Sequence, residues 1–236
     1  HGTDMEHSTE ILYNKTEVFC SAAHRFGSDA LLLARFTEPK RSQKAVDLCS
    51  GCGIVSLEWH DRGHRGECAA VELQPEASSL LREALAAQGI DHITPVCADL
   101  RTYRAGEGSF DVCACNPPYF TAGFQSSDPA RAAARHETDC TLEDVCTAAA
   151  FLCRTGGSFY IVHKPERLAE LMCCMSAHGL EPKRMRMVCH TAGAAPNLLL
   201  VEGRRGAKPG MRIEPALILR EADGSETEEI RRIYHR

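Results

Sequence analysis

The sequence has no long run of apolar residues. None of its 236 residues belongs to a stretch that approaches the ~18 to 20 consecutive apolar residues of a membrane-spanning helix. The first ten residues are polar and lack the apolar core of a signal peptide. Apolar residues make up 44% of the chain and charged residues 25%, which is typical of a globular domain. We therefore expect one domain, residues 1–236, that acts in the cytoplasm.

The sequence also lacks the paired ligand spacing of a zinc site. It has thirteen cysteines, and Cys49 and Cys52 form a C-x-x-C pair, but no second pair follows at a matching distance. The number of cysteines is odd, and many lie inside apolar runs, where a thiol behaves as a small hydrophobic group. We predict reduced cysteines, no disulfide framework and no metal.

A strong overall positive charge is absent as well. The net charge is -5, which argues against general, sequence-independent binding of nucleic acid. Positive charge is nevertheless concentrated between Arg154 and Arg212, a stretch that contains ten Lys and Arg residues but only four Glu residues. This excess is compatible with a basic face for phosphates and equally with an ordinary solvated surface.

The most informative stretch is Asn116-Pro117-Pro118-Tyr119, which follows the apolar run from Phe110 to Cys115. The run predicts a buried strand, and the two prolines end it in a loop. Asn116 offers a side-chain carbonyl, Pro117 a backbone carbonyl in a stiff frame, and Tyr119 a flat aromatic face. Two acceptors can hold both hydrogens of a planar NH2 group while the ring stacks on its base. The alternative is a stiff turn without a chemical role.

Acidic and glycine residues follow three earlier predicted strands. Asp47 begins a stretch that closes on Gly51 and Gly53, although the dinucleotide fingerprint G-x-G-x-x-G is absent. Glu72 comes about 20 residues later, the spacing at which a carboxylate meets a ribose diol, and Asp99 ends the next strand. Singly, each acid is more often a helix cap or a solvated charge. Together with Asn116, these positions predict one crevice at the carboxyl ends of the strands of an α/β sheet.

These motifs resemble those of class I S-adenosylmethionine-dependent methyltransferases that methylate amino groups. Five further segments resemble the bacterial tRNA adenine-N6 methyltransferase family that modifies the anticodon-loop adenine of a valine tRNA. They are Ala134–Glu137, Thr141–Asp144, His163–Leu168, Glu181–Arg184 and Asp223–Ile230. The resemblance extends from Phe26 to Tyr234. It implies a Rossmann-like α/β fold with a mostly parallel seven-stranded sheet, helices on both faces and carboxyl-terminal antiparallel strands within residues 37–236. Residues 1–36 would be a segment that covers the cofactor.

The resemblance implies S-adenosylmethionine as cofactor and tRNA as partner. The catalytic residues would be Asn116, Pro117 and Tyr119. The cofactor-binding residues would be Asp29, Asp47, Cys49, Gly51, Gly53, Glu72, Leu73, Asp99, Leu100 and Asn116. The substrate-binding residues would be Pro118, Phe120, Arg131, Arg135, His136, Lys183, Arg184, Arg204 and Arg205.

Two other functions fit parts of the sequence. Asn-Pro-Pro-Tyr is also similar to the motif of the glutamine methyltransferases that modify release factors, because a side-chain amide presents the same NH2 plane. Those enzymes usually carry a separate amino-terminal helical domain, for which the roughly 40 residues before the first predicted strand are too few. A methyltransferase-like RNA-binding module without activity is the second alternative, but such a module has no physical need for Asn116 and the acidic pair.

Overall fold

The computed structural model describes residues 6–118 and 140–234. Its strands are β1 (Ser8–Ile11), β2 (Glu17–Cys20), β3 (Ala45–Leu48), β4 (Cys68–Glu72), β5 (Ile93–Cys97), β6 (Phe110–Cys115), β7 (Cys153–His163), β8 (Leu180–Thr191), β9 (Pro196–Arg205), β10 (Arg212–Ile213) and β11 (Leu217–Arg220). Its helices are α1 (Ser28–Thr37), α2 (Ile54–Asp61), α3 (Pro75–Gln88), α4 (Leu142–Leu152), α5 (Leu168–Ala177) and α6 (Glu228–Tyr234), with a 3-10 turn at Pro165–Arg167.

One large sheet organises the described part of the chain. Its strand order is β5-β4-β3-β6-β7-β9-β8, and β10 and β11 both pair with β8. The strands from β3 to β7 run parallel, whereas β9 is antiparallel to both β7 and β8. The predicted mostly parallel α/β sheet and its terminal antiparallel pair are therefore confirmed. Strands β1 and β2 form a separate antiparallel hairpin.

The described sheet has nine strands: the seven that we predicted and two short ones at its outer edge. The seven expected strands are all there. The additional ones, β10 and β11, are only two and four residues long and pair along the outer edge of β8. The apolar run at residues 215–219 indicates an added strand, which corresponds to β11, whereas the two residues of β10 are too few for any pattern and only their position beside β8 defines that strand.

The central strands are buried on both faces, which explains their short apolar runs. Helices α1, α2, α3 and α6 share one apolar cluster with one face of the sheet. Helices α4 and α5 share a second cluster with the other face. Within residues 6–118 and 140–234, no helix is both long enough and apolar enough to cross a membrane.

Strand order places the functional crevice. The chain goes from β3 outward through β4 to β5, and it then returns to the other side of β3 with β6. The connection after β3 leads to β4 on one side, and the connection after β6 leads to β7 on the other side. The carboxyl ends of β3 and β6 therefore border an open crevice between the two connections.

Candidate active site

A cavity of about 630 Å³ lies at the carboxyl ends of β3, β4, β5 and β6. Its walls are formed by Arg25, Cys49, Gly51, Val71, Glu72, Leu73, Gln74, Pro75, Ala98, Asp99, Leu100, Asn116, Pro118 and Cys140. Seven of the ten predicted cofactor-binding residues are in this wall, together with Pro118 from the predicted substrate-binding set. The structure therefore brings the ends of the four strands together as the sequence predicted.

The loop after β3 approaches the cavity through Gly51. Cys49 and Gly51 adopt left-handed backbone conformations, with φ of 58° and 55°. The amide of Ser50 donates to the Val71 carbonyl at 2.9 Å, which holds the loop against β4. A Cβ atom added to Gly51 would have no atom within 4 Å. Gly51 thus leaves open space at the cavity wall that a ligand can use.

Gly53, in contrast, does not line the cavity. Its φ is 89°, and an added Cβ would lie 2.4 Å from Leu81 Cδ1. This glycine is required because the start of α2 packs tightly against α3. Its predicted contact with a cofactor therefore stays a prediction, and its observed role is helix packing.

Glu72 joins the two loops that border the cavity. Its Oε1 accepts a hydrogen bond from the Gly51 amide at 2.9 Å, and its Oε2 accepts one from the Gln74 amide at 3.0 Å. Each carboxylate oxygen has two lone pairs, so each can accept one further hydrogen bond. Glu72 is half-buried, and its remaining acceptor sites suit the paired hydroxyls of a ribose.

Asp99 has less spare capacity than the sequence suggested. The Arg101 guanidinium donates to both carboxylate oxygens, with Nη2 at 2.7 Å from Oδ2, and the Arg101 amide donates to Oδ1 at 2.9 Å. The hydrogen bonds from Arg101 hold the pKa of Asp99 below its usual value. Asp99 is therefore ionised at the cavity wall, but Arg101 uses most of its acceptor sites.

Asp47 is fully buried in β3, two residues before Cys49. Neither of its carboxyl oxygens has a hydrogen-bond partner among the described residues. Burial raises the pKa of Asp47 well above its usual value, and the nearby negative charge of Glu72 adds to this effect. A buried, unpaired carboxyl group is costly, and such groups are concentrated at functional sites. Asp47 does not line the cavity, so any contribution to binding is indirect.

Asn116 follows the last residue of β6 and borders the cavity. Cys115 pairs with Leu48 of β3 on one side and with Ile161 of β7 on the other. This register places Asn116 beside the glycine loop after β3. Asn116 is half-buried, Pro117 is buried and Pro118 is exposed at the cavity wall. Five predicted site residues lie outside the described residues: Tyr119, Phe120, Arg131, Arg135 and His136.

The segment before α1 contributes a residue that we did not select from the sequence. Arg25 lines the cavity from the loop that precedes α1, whereas the predicted Asp29 does not. Asp29 lies in the first turn of α1, where burial raises its pKa. The available signal for Arg25 was its position within residues 1–36, the segment that we predicted to cover the cofactor. Cys140, also missed, enters the wall from the chain just before α4, which no pattern around the cysteine indicated.

The structure does not bring the predicted basic residues of β8 and β9 to this cavity. Because β9 runs antiparallel to its neighbours, Arg204 and Arg205 lie at the edge where β6 and β7 begin. Arg204 lies opposite Ser158 of β7 in the strand register, and the Arg205 guanidinium donates a hydrogen bond to the backbone carbonyl of Cys153, the first residue of β7. A count of charges along the sequence does not include strand direction. Because β9 runs antiparallel to β7, its last residues, Arg204 and Arg205, lie at the end of the sheet opposite Asn116.

Lys183 and Arg184 are likewise engaged away from the cavity. Lys183 Nζ donates to the Lys208 carbonyl at 3.0 Å. The Arg184 guanidinium lies 3.8 Å from the ring centroid of Phe36, and its Nε donates to Glu202 Oε1 at 2.8 Å. Arg184 Nη1 also pairs with Glu214. Arg184 therefore links β8, β9 and α1, and contact with a substrate by these four residues stays a prediction.

Comparison with known protein families gives one match to a family model. Residues 10–175 match the methyltransferase small domain. The match spans β3 to β6 and therefore includes the complete cavity.

Two relatives resemble the chain over most of its length. The tRNA1(Val) (adenine(37)-N6)-methyltransferase of Aeromonas hydrophila is 29% identical over 206 residues, which cover 86% of this chain and 85% of the relative. The protein of the same name from Tolumonas auensis is 30% identical over 203 residues, covering 85% and 84%.

Solved structures share the fold. A predicted O-methyltransferase of Agrobacterium tumefaciens aligns with a TM-score of 0.70 at 20% identity, covering 88% of this chain and 95% of that one. The 16S rRNA N2 G1207 methyltransferase of T. thermophilus, solved with AdoMet and guanosine, aligns with a TM-score of 0.59 at 18% identity. That alignment covers 85% of this chain and 50% of the other. At these identities the similarity concerns the architecture.

Proposed function

We infer the function from the premise that the chain belongs to the methyltransferase small domain family and, within it, to the tRNA1(Val) (adenine(37)-N6)-methyltransferases. The protein is an S-adenosylmethionine-dependent enzyme that methylates the exocyclic N6 amine of an adenine in tRNA. The relatives are named for adenine 37 of a valine tRNA, and on this basis we propose the anticodon-loop adenine of a valine tRNA as the target. The observation that carries this proposal is the presence of Asn116, Gly51 and Glu72 in one cavity. A tRNA substrate also implies that the enzyme acts in the cytoplasm.

The cavity fits S-adenosylmethionine in size and in chemistry. Its volume of about 630 Å³ is within the range of ligand pockets, ~300 to 1,000 Å³. Gly51 leaves room for close approach of a ligand to the backbone, and Glu72 has acceptor sites left for hydroxyl groups. When bound there, S-adenosylmethionine supplies an electrophilic methyl group.

Asn116 and Pro117 would hold the amine that is methylated. The nitrogen of an adenine amine is a weak nucleophile because its lone pair is delocalised into the ring. Two carbonyl acceptors that bind both N–H groups favour a pyramidal nitrogen, whose lone pair then becomes available for attack. The side chain of Asn116 and the backbone carbonyl of Pro117 supply these acceptors. No strong base is needed before the attack, because the nitrogen becomes positively charged on methylation and then readily gives up one proton to the solvent.

The residues after Pro118 are the proposed contact region for RNA. An adenine has to leave its stack to reach a cavity of this kind, and an aromatic ring stabilises the rotated base by stacking. Tyr119, with Phe120, is proposed for this role because it follows the cavity wall directly in the chain. Arg131, Arg135 and His136 continue the same segment and are proposed to contact phosphates.

Mass spectrometry of nucleosides tests the proposed reaction. The full chain is incubated with S-adenosylmethionine and bulk tRNA from cells that lack this modification, and in a separate reaction with S-adenosylmethionine and a release factor. The tRNA is then digested to nucleosides and the release factor to peptides. We expect N6-methyladenosine to accumulate with the wild-type protein and hardly at all with Asn116→Ala. Methylation of a release factor in place of tRNA would contradict the proposal and support glutamine as the substrate. No methylation of either substrate would support the non-catalytic alternative.

A further inference from the structure

A cluster of potential metal ligands lies on the face of the sheet that α4 and α5 cover, outside the cavity. Glu143 in the first turn of α4, Cys174 of α5 and His178 just after α5 converge there, and one ligand atom from each lies within 4.8 Å of the others. Cys174 Sγ is 3.5 Å from Glu143 Oε2, and His178 Nε2 is 2.9 Å from Glu143 Oε1. Carboxylate, thiolate and imidazole are together a typical ligand set of zinc.

The histidine ring is oriented for binding a metal. His178 Nδ1 lies 2.8 Å from the backbone carbonyl of Cys174, so the hydrogen of a neutral ring resides on Nδ1. The lone pair of Nε2 then points towards Glu143 Oε1, with Thr147 Oγ1 at 3.2 Å. This nitrogen can accept a hydrogen bond from the Thr147 hydroxyl, or it can bind a cation that also binds Glu143. Zinc-bound histidines commonly donate their other N–H to a carbonyl in this way.

The same geometry argues against a nucleophilic role for Cys174. A nucleophilic cysteine needs a nearby base that removes the thiol proton. His178 Nδ1 lies 4.0 Å from the sulfur and already carries the hydrogen that it donates to the Cys174 carbonyl. The other neighbour, Glu143 Oε2 at 3.5 Å, is a carboxylate, which is ordinarily a much weaker base than a thiolate. The wall of the cavity at the ends of β3 to β6 does not include this cluster.

We propose that Glu143, Cys174 and His178 bind one zinc ion, with a water molecule in the fourth position. A tetrahedral site with bond lengths of ~2.0 to 2.3 Å places ligand atoms roughly 3.3 to 3.6 Å apart. The Cys174 to Glu143 distance of 3.5 Å fits this spacing, whereas the 2.9 Å between His178 Nε2 and Glu143 Oε1 has to widen by roughly 0.4 Å, which the exposed Glu143 side chain allows. Glu143 is 68% exposed, so an ion and a water molecule can enter. On binding, the Cys174 thiol loses its proton to the solvent and the sulfur forms the bond to zinc.

The ion would connect two helices next to the active site. Helix α4 starts two residues after Cys140, which lines the cavity, and Glu143 is in its first turn. Zinc would fix this turn to the end of α5. From the sequence, only Cys49 and Cys52 have a spacing typical of metal ligands, because Glu143 is distant from Cys174 in the chain.

Zinc titration of the full chain tests the proposal. Metal-free protein is titrated with Zn²⁺ in competition with a colorimetric chelator, and Cd²⁺ is used in parallel because a cadmium–thiolate bond absorbs in the ultraviolet. The variants are Cys174→Ser, His178→Gln and Glu143→Gln. The matched control is Cys173→Ser, which removes an exposed thiol next to Cys174 without changing the cluster. Circular dichroism establishes that each variant is folded.

We expect one zinc ion per chain, and at least about tenfold weaker binding in Cys174→Ser and in His178→Gln. The cadmium–thiolate absorption should disappear in Cys174→Ser and persist in Cys173→Ser. Glu143 is exposed, so Glu143→Gln should fold normally. Its zinc affinity therefore tests the site even if Cys174→Ser or His178→Gln fails to fold. If the wild-type protein does not bind one zinc ion, or if all variants bind it as tightly as the wild type, Glu143 and His178 form an ion pair at a helix end and the proposal is wrong.

Discussion

The two glycines of the loop after β3 should respond differently to substitution by alanine. In both, alanine enters a left-handed conformation that costs an L-residue roughly 1 to 2 kcal/mol. At Gly51, with φ of 55°, the added methyl group meets no atom within 4 Å, so the free energy of unfolding should fall by about that amount alone. At Gly53, with φ of 89°, the methyl group would lie 2.4 Å from Leu81 Cδ1. Leu81 is itself only 1% exposed, so overpacking adds roughly 1 to 3 kcal/mol.

The effect on the cofactor should be the reverse. The methyl group of Gly51→Ala occupies the cavity wall, so we expect a large loss of S-adenosylmethionine affinity in a stable protein. Gly53→Ala should lose roughly 2 to 5 kcal/mol of stability in total but bind the cofactor nearly normally at a temperature where it is folded. Urea unfolding and calorimetric titration measure the two quantities. Wild-type cofactor affinity in Gly51→Ala would refute the placement of the cofactor beside this loop.

Three further predictions concern individual charged residues. Glu72→Gln removes a charged acceptor at the cavity wall, so calorimetry should show cofactor affinity reduced by about 1.5 to 3 kcal/mol, or roughly 10- to 150-fold; unchanged affinity would exclude Glu72 from the site. Burial and then the charge of Arg65 lower the pKa of His60 to about 4, whereas the unfolded value is 6.5. The unfolded chain therefore binds a proton between these values that the folded chain does not, and the free energy of unfolding should fall as the pH decreases from 6.5 towards 4. His60→Asn should show a weaker pH dependence in urea unfolding, and an identical one would contradict this. Arg184→Ala breaks a largely buried ion pair, so thermal unfolding should show a loss of roughly 2 to 5 kcal/mol, while kcat and the KM for tRNA stay unchanged at a temperature where the variant is folded. A raised KM for tRNA would point to a role in substrate binding.

The position of the active site could be predicted from the sequence because parallel strands end at a common edge. Each of β3, β4 and β6 is a short apolar run followed by a polar or glycine residue, and these residues necessarily meet when the strands pair. Gly51, Glu72 and Asn116 were found in this way, and the cavity contains all three.

Other features depend on packing that no local pattern contains. Gly51 and Gly53 look equivalent in the sequence, and only the position of Leu81 on α3 separates a cavity glycine from a packing glycine. Arg204 belongs to a basic segment, but the antiparallel direction of β9 carries it to the edge opposite Asn116. Asp99 was expected to be free for a ligand, yet it is engaged by Arg101, two residues away.

The rate of methyl transfer by Asn116→Ala tests the central claim most directly. The measurement is a single-turnover reaction with excess enzyme, saturating S-adenosylmethionine and tRNA that lacks the methyl group, and cofactor affinity is determined on the same preparation. Loss of one acceptor that acts in the transition state typically costs ~2.7 to 4 kcal/mol, so the rate should fall by roughly a hundred- to a thousandfold, with cofactor affinity close to that of the wild type. If Asn116→Ala methylates tRNA at the wild-type rate, Asn116 does not hold the amine, and the Asn-Pro-Pro-Tyr loop is only a stiff turn.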